Sequence, residues 1–194
     1  AGFYTVQPEG GWQHFVQVGS AHQAYVADHI IHGQVIAAGA FHIGVVLAVA
    51  EEHFSRSGFV VENIRFIRPL LLEQERILQV ALVPDEEPDH YRFRVLTLDE
   101  PEDEEDESEW VLYVEGGVSI GRGDESDTRT LAQVKSLCSQ EASVQEHYEE
   151  LAAVHIVWDP MWCWTEQAFR GADGAGGLVA LAPPGGLDAG APPL

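Results

Sequence analysis

Two histidines beside a glycine, followed by the longest apolar run in the chain, make residues 28–53 the stretch best suited to chemistry. His29 and His32 stand three residues apart, Gly33 follows, and residues 39–50 (GAFHIGVVLAVA) hold a single polar side chain, His42. An imidazole set against apolar surroundings can accept a proton, because burial disfavours its charged form. Taken alone, the residues also fit a quieter reading, in which His29 is a core histidine satisfied by backbone groups. Zinc needs three or four rigidly held ligands. Residues 28–42 offer no cysteine and only Asp28 as a carboxylate, with His22 and His42 as the nearby imidazoles. We therefore expect no metal, and read His42 as a structural histidine or as pocket lining.

A base of this kind needs an ordered frame. Residues 39–50 predict a helix buried nearly all round. Glu51, Glu52 and His53 return it to water, and Ser55–Gly58 ends it with a glycine stop. Upstream, residues 3–6 admit a short strand and residues 14–18 alternate as an edge strand. Downstream, residues 59–69, 76–83, 90–98 and 110–120 read as four antiparallel strands. Residues 76–83 are apolar on both faces, so that strand should be central. The acidic run 99–109 lacks the glycine and spacing of a calcium loop and reads as a solvated hairpin tip. Residues 121–142 read as a linker. Residues 143–153 have the spacing of an amphipathic helix, with Ser143 as N-cap and Glu146 three residues on. Aromatics crowd residues 160–169, and residues 178–181 suggest a strand. The pattern is α+β.

Bulk composition narrows the function classes. Ten basic against 32 acidic residues give a net charge of −22, which argues against nucleic acid and anionic membrane surfaces as partners. Hydrophobic residues make up 45% of the 194, enough for a core. The two cysteines, Cys138 and Cys163, lack a CxxC spacing and suit a reducing compartment. With no leader-like start and no apolar run of about 18 residues, we expect a cytoplasmic protein.

His29 and Gly33, with Gly39-Ala40 opening the helix, resemble the HxxxGxxxxP motif of polyketide synthase dehydratase domains. Ala38 stands where that motif has proline. Residues 156–162 (IVWDPMW) resemble the family's YGPxF segment, with Trp158 for Tyr and Pro160 retained. The resemblance implies a double hotdog, each half a long helix wrapped by antiparallel sheet. Residues 1–120 would be the first hotdog, and residues 143–194 the start of an incomplete second. It further implies His29 as general base and the Gly39 backbone N–H as donor to a thioester carbonyl. The partner aspartate, in an HPxxxDxxxQ-like segment, is expected beyond Leu194, since Asp188 reads as loop. The implied reaction is dehydration of a β-hydroxyacyl chain held on the phosphopantetheine of an acyl carrier protein, with no cofactor bound by the domain. The carrier and neighbouring synthase domains are the implied partners, with a homodimer left open. A variant that also closes an oxygen ring, and a non-catalytic hotdog used as a scaffold, remain alternatives. Arg65, Arg68, Arg92 and Arg94 could form local positive spots for docking or pair with nearby carboxylates.

Overall fold

Strands alternate their side chains across a sheet, and the downstream alternation does build one. A computed structural model of the chain describes residues 3–6, 11–19, 24–99, 109–121, 130–158, 162–171 and 177–181. In chain order the elements are β1 (Phe3–Val6), β2 (Trp12–Val18), β3 (His29–Ile31), β4 (Gln34–Val35) and the helix α1 (Gly39–Phe54). Then come β5 (Phe59–Phe66), β6 (Arg76–Pro84), β7 (His90–Asp99) and β8 (Glu109–Ile120). The remainder is α2 (Leu131–Leu137), β9 (Gln140–Ala142), α3 (Val144–Ala153), β10 (Ile156–Trp158), β11 (Thr165–Arg170) and β12 (Gly177–Leu181). The chain divides into two compact units, Ala1–Ala27 with Val35–Gly123, and Asp28–Gln34 with Asp124–Leu194. Among the described residues no helix is long and apolar enough to cross a membrane.

The first unit holds a six-stranded sheet in the order β1-β2-β6-β7-β8-β5. Its buried side chains include Leu78, Val80 and Leu82 of β6, Phe93 and Val95 of β7, and Val114 and Val118 of β8. They share one hydrophobic core with Phe41, Val46, Val49 and Ala50 of α1. This is the helix-against-antiparallel-sheet arrangement that a hotdog requires, and β6 is internal to it as its two apolar faces predict.

Three expectations need correction. The helix is not buried all round: Gly39, Ala40, Gly44 and Ala48 are exposed. Glycine and alanine count as apolar but carry little surface, so an apolar run containing them does not force burial on every side. The helix stop is Ser55, whose φ of 51° makes the left-handed turn expected of Gly58. Finally, β2 is not an edge, because β1 pairs along it from Phe3 opposite Phe15 to Val6 opposite Trp12. Among the arginines, Arg65 pairs with Glu115 at 2.8 Å and Arg92 with Asp85 at 3.8 Å. Arg68 lies over the Tyr113 ring at 5.7 Å.

In the second unit, β9, β11 and β12 form an antiparallel sheet. The Ser143 cap is as expected, its Oγ accepting from the Glu146 N–H at 3.1 Å. Helix α2 and strand β9 lie inside the segment read as a linker. The sign of α2 was Thr130 followed by Gln133, whose side chain and backbone bond each other reciprocally as a capping box. The acidic residues 100–108 lie outside the described residues.

Phe93, 1% exposed, sits opposite Gly116 in the β7–β8 pair. A Cβ at position 116 would come 2.7 Å from Phe93 Cε1 and 3.0 Å from the Glu62 carbonyl oxygen. Gly116→Ala should therefore destabilise the unit by about 1–3 kcal/mol through overpacking. Urea unfolding checks this, and an unchanged midpoint would refute the packing account.

Candidate active site

Strand β3 pairs antiparallel with β10, which sets His29 directly opposite Trp158. Opposite residues on such a pair project to one face. The His29 ring accordingly stacks on the Trp158 indole, centroids 6.3 Å apart and planes at 26°. The Trp162 ring lies tilted against that of His29 at 4.8 Å between centroids, and Tyr148 of α3 packs edge-on against Trp158 at 6.1 Å. His29 is 8% exposed. The imidazole is thus held by aromatic surfaces within the second unit.

The turn after β3 is His32-Gly33, with φ of 52° and 79°. Paired left-handed residues suit a two-residue hairpin turn. A Cβ at Gly33 would meet nothing within 4 Å, so glycine serves here for its backbone freedom and not for space. The His32 N–H donates to the His155 carbonyl at 2.8 Å, tying the turn to the residue before β10.

The start of α1 belongs to the first unit. Ala38 is its N-cap, with φ −64° and ψ 152°, and gives no side-chain capping bond. The first helical hydrogen bonds run from Phe41 and His42 to the Ala38 carbonyl, at 3.0 and 3.4 Å. The N–H groups of Gly39 and Ala40 precede them, as the orphan donors of a helix start do. His42 is 3% exposed and lies between Phe41 and Phe66, at 5.7 and 6.2 Å between ring centroids. Its Nδ1 is buried without a hydrogen-bond partner. Burial pushes its pKa down to about 4, so it is neutral at pH 7.

Residues 4–98 match the family profile described as the polyketide synthase dehydratase domain. The match covers just under half of the chain and agrees with the resemblance carried by His29, Gly33 and Gly39. The dehydratase from the CurF module of curacin polyketide synthase superposes with a TM-score of 0.80 at 18% identity, over 95% of this chain and 64% of that one. The CurJ-module dehydratase gives 0.80 at 24% identity, over 95% and 62%. A trans-AT polyketide synthase dehydratase domain from Brevibacillus brevis gives 0.75 at 18% identity, over 94% and 63%. The chain thus spans less than two thirds of these structures, which accords with a double hotdog whose second half is incomplete. No curated protein sequence matches the chain.

Of the residues singled out in the sequence, His29 and Gly33 share the second unit, whereas Ala38, Gly39 and His42 share the first. The division thus groups His29 with residues 124–194, where the sequence reading put it in the first hotdog. Pro160 and Asp159 lie outside the described residues. Among the described residues no three His, Cys, Asp or Glu side chains gather in a metal-sized group. Sequence reasoning passed over His14 and His53, whose Nε2 and Nδ1 lie 3.2 Å apart. The His14 pKa is lowered by burial and then by His53, against a raising effect of Glu52, and that of His53 is lowered by burial.

A histidine with a depressed folded pKa binds fewer protons than its unfolded counterpart. The stability it contributes is complete above the unfolded value of 6.5 and is lost as pH falls towards its folded pKa of about 4. For His42 the full loss is on the order of 3 kcal/mol. Urea midpoints at pH 7, 6 and 5 should therefore fall less for His42→Leu than for the parent chain. Parallel profiles would show that His42 does not carry this dependence.

Ala38 already holds the φ that a proline ring enforces. Ala38→Pro should be neutral to stabilising, by up to about 1 kcal/mol. A loss of several kcal/mol in thermal unfolding would show that the backbone entering α1 rejects the ring.

Proposed function

We propose that the chain is the base-bearing part of a dehydratase that removes water from a β-hydroxyacyl thioester on an acyl carrier protein. The observation that carries this reading is His29 in its His-xxx-Gly setting, enclosed by Trp158 and Trp162. His29 takes the α-proton as general base. Negative charge then builds on the thioester oxygen, which accepts from the Gly39 N–H, with support from the positive end of the α1 dipole. The hydroxyl must leave as water, so an acid has to protonate it. By the family pattern that acid is an aspartate in sequence following Leu194. Proton loss at the α-carbon and protonation of the hydroxyl balance without a redox or metal cofactor.

The scaffold alternative rests on Ala38 replacing the motif's proline, on Asp159 in place of the family's glycine, and on the family's aspartate not being among these 194 residues. The φ of −64° at Ala38 bears on the first ground alone, since it is a value a proline ring would hold. The carrier and the neighbouring synthase domains are the proposed partners. Arg65 and Arg92 are engaged by Glu115 and Asp85, and the chain carries −22. Long-range attraction to an acidic carrier therefore does not drive docking, and tethering in one assembly supplies the effective concentration.

The test is His29→Ala in the polypeptide that contains this chain, with a carrier-bound β-hydroxyacyl substrate. Turnover should fall by about 10²–10⁴ while circular dichroism stays unchanged. Undiminished turnover in a folded variant would remove His29 as the base.

A further inference from the structure

Phe66 is a large aromatic at the end of β5, yet 53% exposed. Its ring stands at one place of chemical interest. A Cβ built on Gly39 would lie 3.0 Å from Phe66 Cζ, and 3.4 and 3.5 Å from its Cε atoms. The ring tip thus occupies the space beside the first residue of α1. Its position is set by the main chain. Ile67 N–H donates to the Tyr113 carbonyl at 2.8 Å, Ala37 N–H to Leu70 at 2.9 Å, and Leu72 N–H to Val35 at 2.9 Å. These bonds fix the stretch after Phe66 against both the sheet and the residues that lead into α1. Behind the ring sits His42, at 6.2 Å and 3% exposed.

We propose that Phe66 is a specificity-determining residue, which limits what the substrate may carry on its α-carbon and so favours α-unbranched over α-methyl β-hydroxyacyl thioesters. The inference rests on the reading of Gly39 as the carbonyl donor. At helical φ the backbone N–H and the Cα–Cβ bond are nearly eclipsed. An oxygen accepting from the Gly39 N–H therefore lies on the side of the residue that the Phe66 ring tip occupies. The α-carbon is only two bonds from that oxygen, so the ring forms one wall of its surroundings, and a methyl branch competes with the ring for the same space. Glycine at position 39 fits this account, because a side chain there would displace the ring. The outer side of Phe66 is open, so the ring can swing away at a cost, and the discrimination is graded. A single methyl group in such a setting is worth about 10–200-fold.

The test compares two matched pantetheine thioesters, one α-unbranched and one α-methyl, by kcat/KM. The polypeptide containing this chain is used unaltered, as Phe66→Ala and as the more conservative Phe66→Leu. Calorimetry with the corresponding non-reacting amides measures binding in the same proteins. The unaltered protein should prefer the unbranched compound by about tenfold or more. Phe66→Ala should shrink that preference by about the same factor, and Phe66→Leu should fall between. An equal preference in all three, or none in the unaltered protein, overturns the role of Phe66. Turnover with an unchanged ratio leaves the dehydratase reading standing and removes this one. Selective amide binding that Phe66→Ala abolishes, without turnover of either thioester, does the reverse.

Discussion

Main-chain hydrogen bonding between residues 35–37 and 70–72 holds the start of α1. Ala37 N–H donates to Leu70 and Leu72 N–H donates to Val35, both at 2.9 Å, with Ile36 and Leu71 bridged between them. Leu70 and Leu72 are 1% and 0% exposed, so these bonds are shielded from competing water and their loss would strand buried polar groups. Everything chemical in the first unit hangs on this junction. It fixes where the helix begins, where Gly39 presents its N–H, and how near Phe66 comes. Backbone pairing does not depend on side-chain identity, and Ala38 beside it holds φ −64°, a value a proline ring would also hold.

Four histidines, three of them buried and His53 half-buried, show how the same side chain acquires different properties from its surroundings. His42 has apolar and aromatic neighbours, no partner for Nδ1, and hence a strong bias to the neutral form. His14 and His53 instead satisfy one another, one nitrogen donating and the other accepting, so at most one proton can occupy the shared position. Trp12 lies on the His53 ring at 4.4 Å and helps keep water from the pair. His29 differs from all three in lying on a short strand with two indoles, Trp158 and Trp162, as ring neighbours. Its surroundings come from residues about 130 positions later in the chain, and are set by the β3–β10 register.

That difference in range explains what could be read in the sequence. Strands β5 to β8, helix α1, the cap of α3 and the class of fold follow from local periodicity and end signals. The apolar character of β6 on both faces placed it inside the sheet. What failed was non-local or depended on surface area. The pairing of β1 with β2 is a tertiary fact that alternation within residues 14–18 cannot contain. The exposed face of α1 was hidden because hydropathy scores Gly44 and Ala48 as apolar, although they have little to bury. The left-handed turn at Ser55 went to a non-glycine residue, a choice the local sequence did not mark. For the candidate site, the motif singled out His29, Gly33 and Gly39 as residues, but neither the tryptophan enclosure nor the ring of Phe66 over Gly39 has any short-range signature.

The absence of a side-chain cap on α1 follows the same logic. Ser, Thr, Asp or Asn at an N-cap usually satisfies one of the first N–H groups and stabilises a helix by about 1 kcal/mol. α2 and α3 use that device, through Thr130 and Ser143. α1 does not, and its first turn has no acidic residue either. A capping oxygen would take the N–H of Ala40 or Phe41, as Thr130 takes that of Gln133 and Ser143 that of Glu146, and an acidic side chain would neutralise the positive end of the dipole. The helix can do without both because its position is already secured by Phe41, Val46, Val49 and Ala50 in the core and by the main-chain bonds ahead of it. Tertiary packing thus carries the stability that capping supplies in α2 and α3, and Ala38 offers no side-chain oxygen to the first N–H groups of α1.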